Sequence, residues 1–389
     1  MLLIGCFQVG MADILHIKPY AQWTFDEPLE RVVYRKSSSG FPIKYTISSE
    51  LISYFDSLGQ NVRQIPRSPG DKFQINPEHS YFMLSQENES ILAEPAQLLH
   101  SFKVFDGKGN PEYTMVYSNR LVGQAINATL TGEGSILLTQ EGQGWILEMH
   151  DEDTLLHVEN ALPLNQRQCV VRMEVDQLVN RNEFITASSC ISQGEDHHRT
   201  NIELNLWNHH TLLSDPVSFP GTLGGLEAVK GTDYFFLEML DATESTLALY
   251  NRNEFIASYP WKTWDIRPLG IKSAFVISEA DLHVVNLGDG SLISSFHPID
   301  IAHLSDAAYL PNWGLYLYLR FEAFFTEEGQ QAYRKFELEG VSKTGRIAHR
   351  SSFGNWTTSL PKISQIGKDL FAIHMHNAVL LYRVELEKE

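Results

Sequence analysis

Apolar residues along the chain recur in short runs of about four to eight positions, rich in Val, Ile, Tyr and Phe and separated by clusters of Gly, Asn, Asp and Ser. Windows with the spacing of an amphipathic helix are scarce, so the pattern predicts strands joined by tight turns and an all-β fold. One unit repeats: an apolar strand, a polar turn and a return strand. It begins as Leu51 to Asp56, followed by Leu58-Gly59 and by Val62 to Ile65. It returns at Phe102 to Asp106, Trp145 to Asp151, Ile202 to Asn208, Leu247 to Asn251, Leu282 to Leu287, Phe336 to Gly340 and Val379 to Val384. The mean period is about 47 residues. A further strand precedes each later hairpin by one loop, as in Tyr81 to Leu84, Tyr234 to Leu240 and Leu370 to His374.

A period of this length, with several strands in each copy, resembles the β-propeller superfamily, and the resemblance covers about residues 30–389. It is a resemblance of architecture. Trp264-Asp265 is the one Trp-Asp pair, so the once-per-blade signature of a WD40 repeat is missing, and no kelch or quinoprotein pattern recurs. The resemblance implies a single propeller with strands a, b, c and d in each blade. Eight hairpins give eight blades; the tight interval from Thr246 to Asp281 keeps seven as the alternative. The last hairpin copy ends the chain without a return strand, and Ile14-Leu15-His16-Ile17 is the expected partner that closes the ring. The expected division is thus residues 1–29, an N-terminal segment carrying the closing strand, and 30–389, the propeller. Pro216, Pro220 and Gly221 to Gly225 favour a competing split into two β-domains, against which the period continues unbroken.

Charge narrows the partners. Forty-eight acidic residues against 30 basic ones give a net charge of −18, which disfavours a nucleic-acid backbone or an anionic membrane surface. No apolar run approaches the ~20 residues of a membrane-spanning helix, and a monomer is expected. Cys6, Cys169 and Cys190 are too few for a disulfide scaffold or a cysteine-based zinc module. A hairpin turning at Val179-Asn180 sets Cys169 opposite Cys190, either as a cross-strand bridge or as two reduced thiols. Leu3-Ile4-Gly5-Cys6 resembles a lipoprotein processing site, although a basic region and an apolar stretch are lacking before it, and Met11 offers an ordinary start. The cytoplasm is the favoured compartment, with export as a lipoprotein anchored at Cys6 as the alternative.

The resemblance also implies that d-to-a and b-to-c connections share one face, on which propellers meet their ligands. Trp23, Trp261, Trp264 and Trp356 fall in expected d-to-a connections. Grouped aromatics of this kind recognise a protein or a carbohydrate-like ligand, unless they serve as packing wedges between blades. A second candidate is His374-Met375-His376, since alternate residues of a strand point to one side, as a transition-metal site requires. His197-His198, His209-His210, the long loop from Phe321 to Tyr333 and Asp151-Glu152-Asp153 are weaker leads. No P-loop, Gly-x-Ser-x-Gly or His-Glu-x-x-His motif is present. The sequence therefore points to a non-catalytic binding propeller using the tryptophan face. Its alternative is a metal-dependent hydrolase or lyase built on His374 and His376. No cofactor is indicated.

Overall fold

The computed structural model describes residues 14–387 apart from 36–39, 69, 77–79, 91–96, 119–125, 132–133, 142–144, 152–153, 162–168, 179–182, 193–200, 209–212, 214–216, 230, 241–243, 299–302 and 354–356. The described residues form 32 strands, β1 to β32, in eight four-stranded sheets. In chain order the blades cover 31–66, 72–118, 126–161, 169–220, 222–259, 263–296 and 304–353, and blade 8 combines 362–387 with 14–24. Every expected hairpin supplies the c strand of one blade. Eight blades are present.

Blade 8 is completed from the other end of the chain. β1 (Ile14–Thr24) pairs antiparallel with β32 (Ala378–Glu387), from Ile14 opposite Glu387 to Thr24 opposite Ala378. The expected closing strand is there, and it runs past Ile17 to Thr24, crossing a bulge at Tyr20 between Pro19 and Ala21. The fold is an all-β, eight-bladed propeller whose ring is closed by β1.

The chain divides into two compact units, residues 1–64 with 298–389 and residues 65–297. The first holds blades 7, 8 and most of blade 1. Its core joins Ile17, Leu317, Leu319, Leu338, Phe371, Ile373 and Val384. A neighbouring cluster of Ile43, Ala372, Val379 and Leu381 packs against Trp23 and Phe41. The second unit holds blades 2 to 6, with Leu204, Leu206, Phe235 and Leu237 at the centre of one cluster and Phe236, Leu249, Val276 and Val285 in another. Strand b is covered on both faces, so it reads as an unbroken apolar run such as Leu315 to Leu319, all buried. Outer strands such as Glu254–Tyr259 keep exposed positions.

Two local devices recur. In the c-to-d turns of blades 1 and 2 an Asp-x-x-Gly sequence makes the turn: Asp56 accepts from the Leu58 and Gln60 amides, and Asp106 from those of Lys108 and Asn110. Gly59 and Gly109 then take φ of 84° and 82°, where a Cβ is disfavoured. The second device links neighbouring inner strands. The Gln74 side chain accepts the Leu130 amide at 3.1 Å, Asp176 that of Ala228 at 2.7 Å, and, in the first unit, Asp306 that of Ile363 at 2.8 Å. Asp306 is buried, so Asp306→Ala leaves a donor unpaired. It is expected to lower stability by about 1 to 3 kcal/mol in chemical denaturation, whereas Asp306→Asn keeps an acceptor.

Two sequence expectations change. The hairpin of blade 4 pairs Cys169 with Ser192 and Val171 with Cys190, so the cysteines sit two residues out of register. Diagonal positions are roughly 7 to 8 Å apart, beyond the usual reach of a disulfide. The segment from Phe321 to Tyr333 is not a long loop. Its alternating residues continue the ladder as a ribbon between Leu315–Phe325 and Gln331–Ser342, past a bulge after Arg320, with Gly329 in the turn. His197, His198, His209, His210, Glu152, Asp153 and Cys6 lie outside the described residues.

Candidate functional site

Trp261 lies in the connection from blade 5 to blade 6, whereas Trp264 falls within the first strand of blade 6 rather than in that connection. Trp261 is a packing residue. Its indole stacks on Tyr259 at 4.3 Å between centroids and on the buried His283 imidazole at 3.7 Å, with both pairs within 10° of parallel. Tyr259 donates from its hydroxyl to the Gly290 carbonyl at 2.7 Å, and burial, helped by Asp289, pushes its pKa up to about 12. The His283 ring nitrogens face Ser278 Oγ at 3.4 Å and Ser295 Oγ at 3.1 Å. Burial lowers its pKa to about 4, against the opposing pull of Asp281.

Trp264 has the opposite setting. In strand a of blade 6 (Thr263–Pro268), Thr263 pairs with Ser278 and Asp265 with Ile277, so Trp264 is the extra residue of a β-bulge. A bulge re-aims the side chain it carries, and this indole is 51% exposed. Blade 5 has the same slip between Leu223 and Gly225, where the extra residue is Gly224 and an added Cβ would lie 2.9 Å from Glu238 Cγ. One bulge thus admits no side chain and the next presents the largest one.

Carboxylates engage the residues on either side of Trp264. Glu238 Oε1 accepts the Thr263 amide at 3.2 Å and the Ser245 hydroxyl at 3.0 Å. Glu279, whose amide donates to the Lys262 carbonyl, holds Lys262 Nζ at 2.5 Å, and Asp265 holds Arg267 Nε at 2.7 Å.

Trp23, in the first unit, is in strand β1 rather than in a d-to-a connection, because β1 extends to Thr24. It pairs with Val379 and sets its ring edge-on to Phe41 at 5.2 Å. That is a wedge within the apolar cluster. Trp356 lies outside the described residues. Of the four, Trp261 and Trp264 flank the start of blade 6, the first stacked and the second exposed.

The histidine pair does not share a strand. His374 ends strand b of blade 8 (Leu370–Met375), whereas His376 stands in the following turn, so the alternation that would align the two rings stops between them. His374 is buried, and desolvation, with Lys362 and His376 adding to it, lowers its pKa to about 4 against a hydrogen bond to the Leu29 backbone. The His376 carbonyl accepts the Leu29 amide. His376 lines a groove of about 750 Å³ with Tyr20, Phe353, Thr357, Leu380 and Tyr382. Among the described residues no three His, Cys, Asp or Glu side chains gather as a metal would require.

Sequence reading missed the polar groups inside the blades. In blade 7 Glu339, 2% exposed, accepts from the Tyr318 hydroxyl on one side strand and is ion-paired with Arg350 at 2.7 Å on the other, with Arg320 at 3.3 Å. Tyr318 and Arg350 are its direct cross-strand partners. Burial and the neighbouring carboxylate push the Tyr318 pKa upward. In blade 3 the buried Glu148 and His150 meet at 2.9 Å, and in blade 4 the Trp207 indole donates to Thr186 at 3.0 Å. Such groups are visible in sequence only as single polar residues in apolar strands.

The architecture is that of an eight-bladed β-propeller. The structure is similar to the WD40 domain of SCAP from fission yeast, with a TM-score of 0.55 at 9% identity over 95% of this chain and 98% of that one. It is also similar to the Dos1 propeller, with a TM-score of 0.50 at 11% identity over 94% and 95% of the two chains. At these identities the likeness is one of fold. No protein-family model matches the sequence, and no curated protein matches it. Among the described residues no helix is long and apolar enough to cross a membrane.

Proposed function

We propose that the protein is a non-catalytic interaction propeller that engages a protein partner through the surface around Trp264. The observation that carries this reading is the bulge at the head of strand a in blade 6, which holds a half-exposed indole out of the ladder. An aromatic side chain on a rigid strand loses little conformational entropy on contact, and Trp is enriched among the residues that dominate interface energetics. The stack of Tyr259, Trp261 and His283 beneath the connection braces it, so Trp261 acts by positioning and Trp264 by contact. A protein is favoured over a sugar because charged groups flank Trp264, Lys262 with Glu279 and Arg267 with Asp265, forming a rim suited to another charged surface.

The roles separate on substitution. Trp264→Ala is expected to leave the melting temperature within about 2 °C of wild type, because the side chain is exposed, while abolishing retention of the partner in affinity capture. Trp261→Ala, which removes a stacked and partly buried indole, is expected to cost about 2 to 3 kcal/mol in denaturant unfolding. Unchanged partner retention in Trp264→Ala would remove this reading.

A further inference from the structure

The charges around Trp264 are unbalanced. Lys262 and Arg267 are each held by a carboxylate, Glu279 and Asp265. Glu238 accepts its hydrogen bonds from neutral donors, the Thr263 amide and the Ser245 hydroxyl, and shares the field of Lys262 with Glu279, while Glu244, next to Ser245 in the chain, is exposed. Three carboxylates, Glu238, Asp265 and Glu279, thus stand against two cations, Lys262 and Arg267, around the residues that flank a half-exposed indole, on a chain whose net charge is −18. An indole face attracts cations through its quadrupole, and a local excess of carboxylates adds to that attraction while opposing anionic contacts.

Resting on the interaction reading above, we propose that the Trp264 surface takes a basic segment of its partner, with a Lys or Arg side chain seated on the indole and its charge facing Glu238. The contact is cation–π in character. It discriminates against an isosteric neutral side chain by about two- to fivefold at an exposed site, and against an acidic one more strongly through repulsion. Salt weakens it, since the carboxylates involved are close to solvent.

Choline and its neutral isostere 3,3-dimethylbutan-1-ol test this directly. The full-length protein is labelled with 5-fluorotryptophan, the Trp264 ¹⁹F resonance is assigned with Trp264→Phe, and each compound is titrated at constant ionic strength. Choline is expected to move the Trp264 resonance saturably, with an apparent affinity about two- to fivefold higher than that of the isostere. Glu238→Gln, which keeps an acceptor for Thr263, is expected to shrink this preference. No movement of Trp264 with choline, or equal affinity for both compounds, would overturn the basic-segment proposal. Equal affinity would leave an apolar contact at Trp264 and so the interaction reading in place, whereas that reading itself fails in the capture experiment.

Discussion

Acidification from pH 7 to about 4.5 is expected to remove on the order of 5 kcal/mol of stability through His283 and His374 alone. Both imidazoles are buried and neutral in the folded chain, with pKa values lowered to about 4 from an ordinary 6.5. In the unfolded chain they take up protons below about pH 6.5. Between these values the unfolded state binds more protons than the folded one, so stability rises with pH. The contribution is complete above the unfolded pKa, falls as the pH drops from 6.5 toward 4, and levels off below. Each full shift is worth about 3 kcal/mol. Against a typical total of roughly 5 to 15 kcal/mol, the two together bring the molecule close to acid unfolding. Urea titrations at pH 7 and 4.5 are expected to show a drop that about halves in His374→Gln and in His283→Gln, whatever the stability of each variant at pH 7. An undiminished drop in both variants would place the acid lability elsewhere.

Removal of residues 1–24 is expected to prevent blade 8 from forming. β1 contributes the buried Ile17 and the partly buried Leu15 and Trp23, and it covers the edge of β32 along ten pairings. Without it, Val379, Leu381 and Val384 lose cover, and a row of backbone donors and acceptors is exposed, a template for aggregation. The truncated chain is expected to be insoluble or to lack a cooperative melt. A synthetic peptide of residues 14–24 supplied in trans is expected to restore both solubility and the transition. A truncated monomer that melts cooperatively at the wild-type temperature would show that closure by β1 is dispensable.

The repeat was legible because each blade spends its strongest apolar run on strands b and c, and a blade buried on both sides tolerates little else there. The closing strand was legible because an unpaired edge at one terminus demands a partner. What the sequence hid is set by register and by partners far along the chain. Trp264 owes its exposure to a one-residue slip against Ser278 and Ile277, and nothing in Thr263-Trp264-Asp265 distinguishes a bulge from a regular strand. Trp23 read as a loop residue since Pro19 interrupts the strand signal, whereas the bulge after Pro19 absorbs it. The cysteine offset is a register two residues away from the one expected of a turn at Val179-Asn180, and register is set by the whole ladder rather than by the two cysteines. The ribbon beyond Arg320 carries acids and a glycine that resemble a loop, although Glu322 is held by Arg334 and Lys335 across the two strands and its pKa is lowered to about 2 by them. Glu339 is the clearest case: its burial is intelligible only when Tyr318, Arg320 and Arg350 stand beside it on neighbouring strands.

Binding through Trp264 is best tested by surface plasmon resonance, with the partner purified from the complex and the wild-type and Trp264→Ala propellers compared at two salt concentrations. An interface centred on this indole predicts an affinity lower by about tenfold or more in the variant, mostly through faster dissociation, with an unchanged melting temperature. Equal affinity of the two proteins would contradict it.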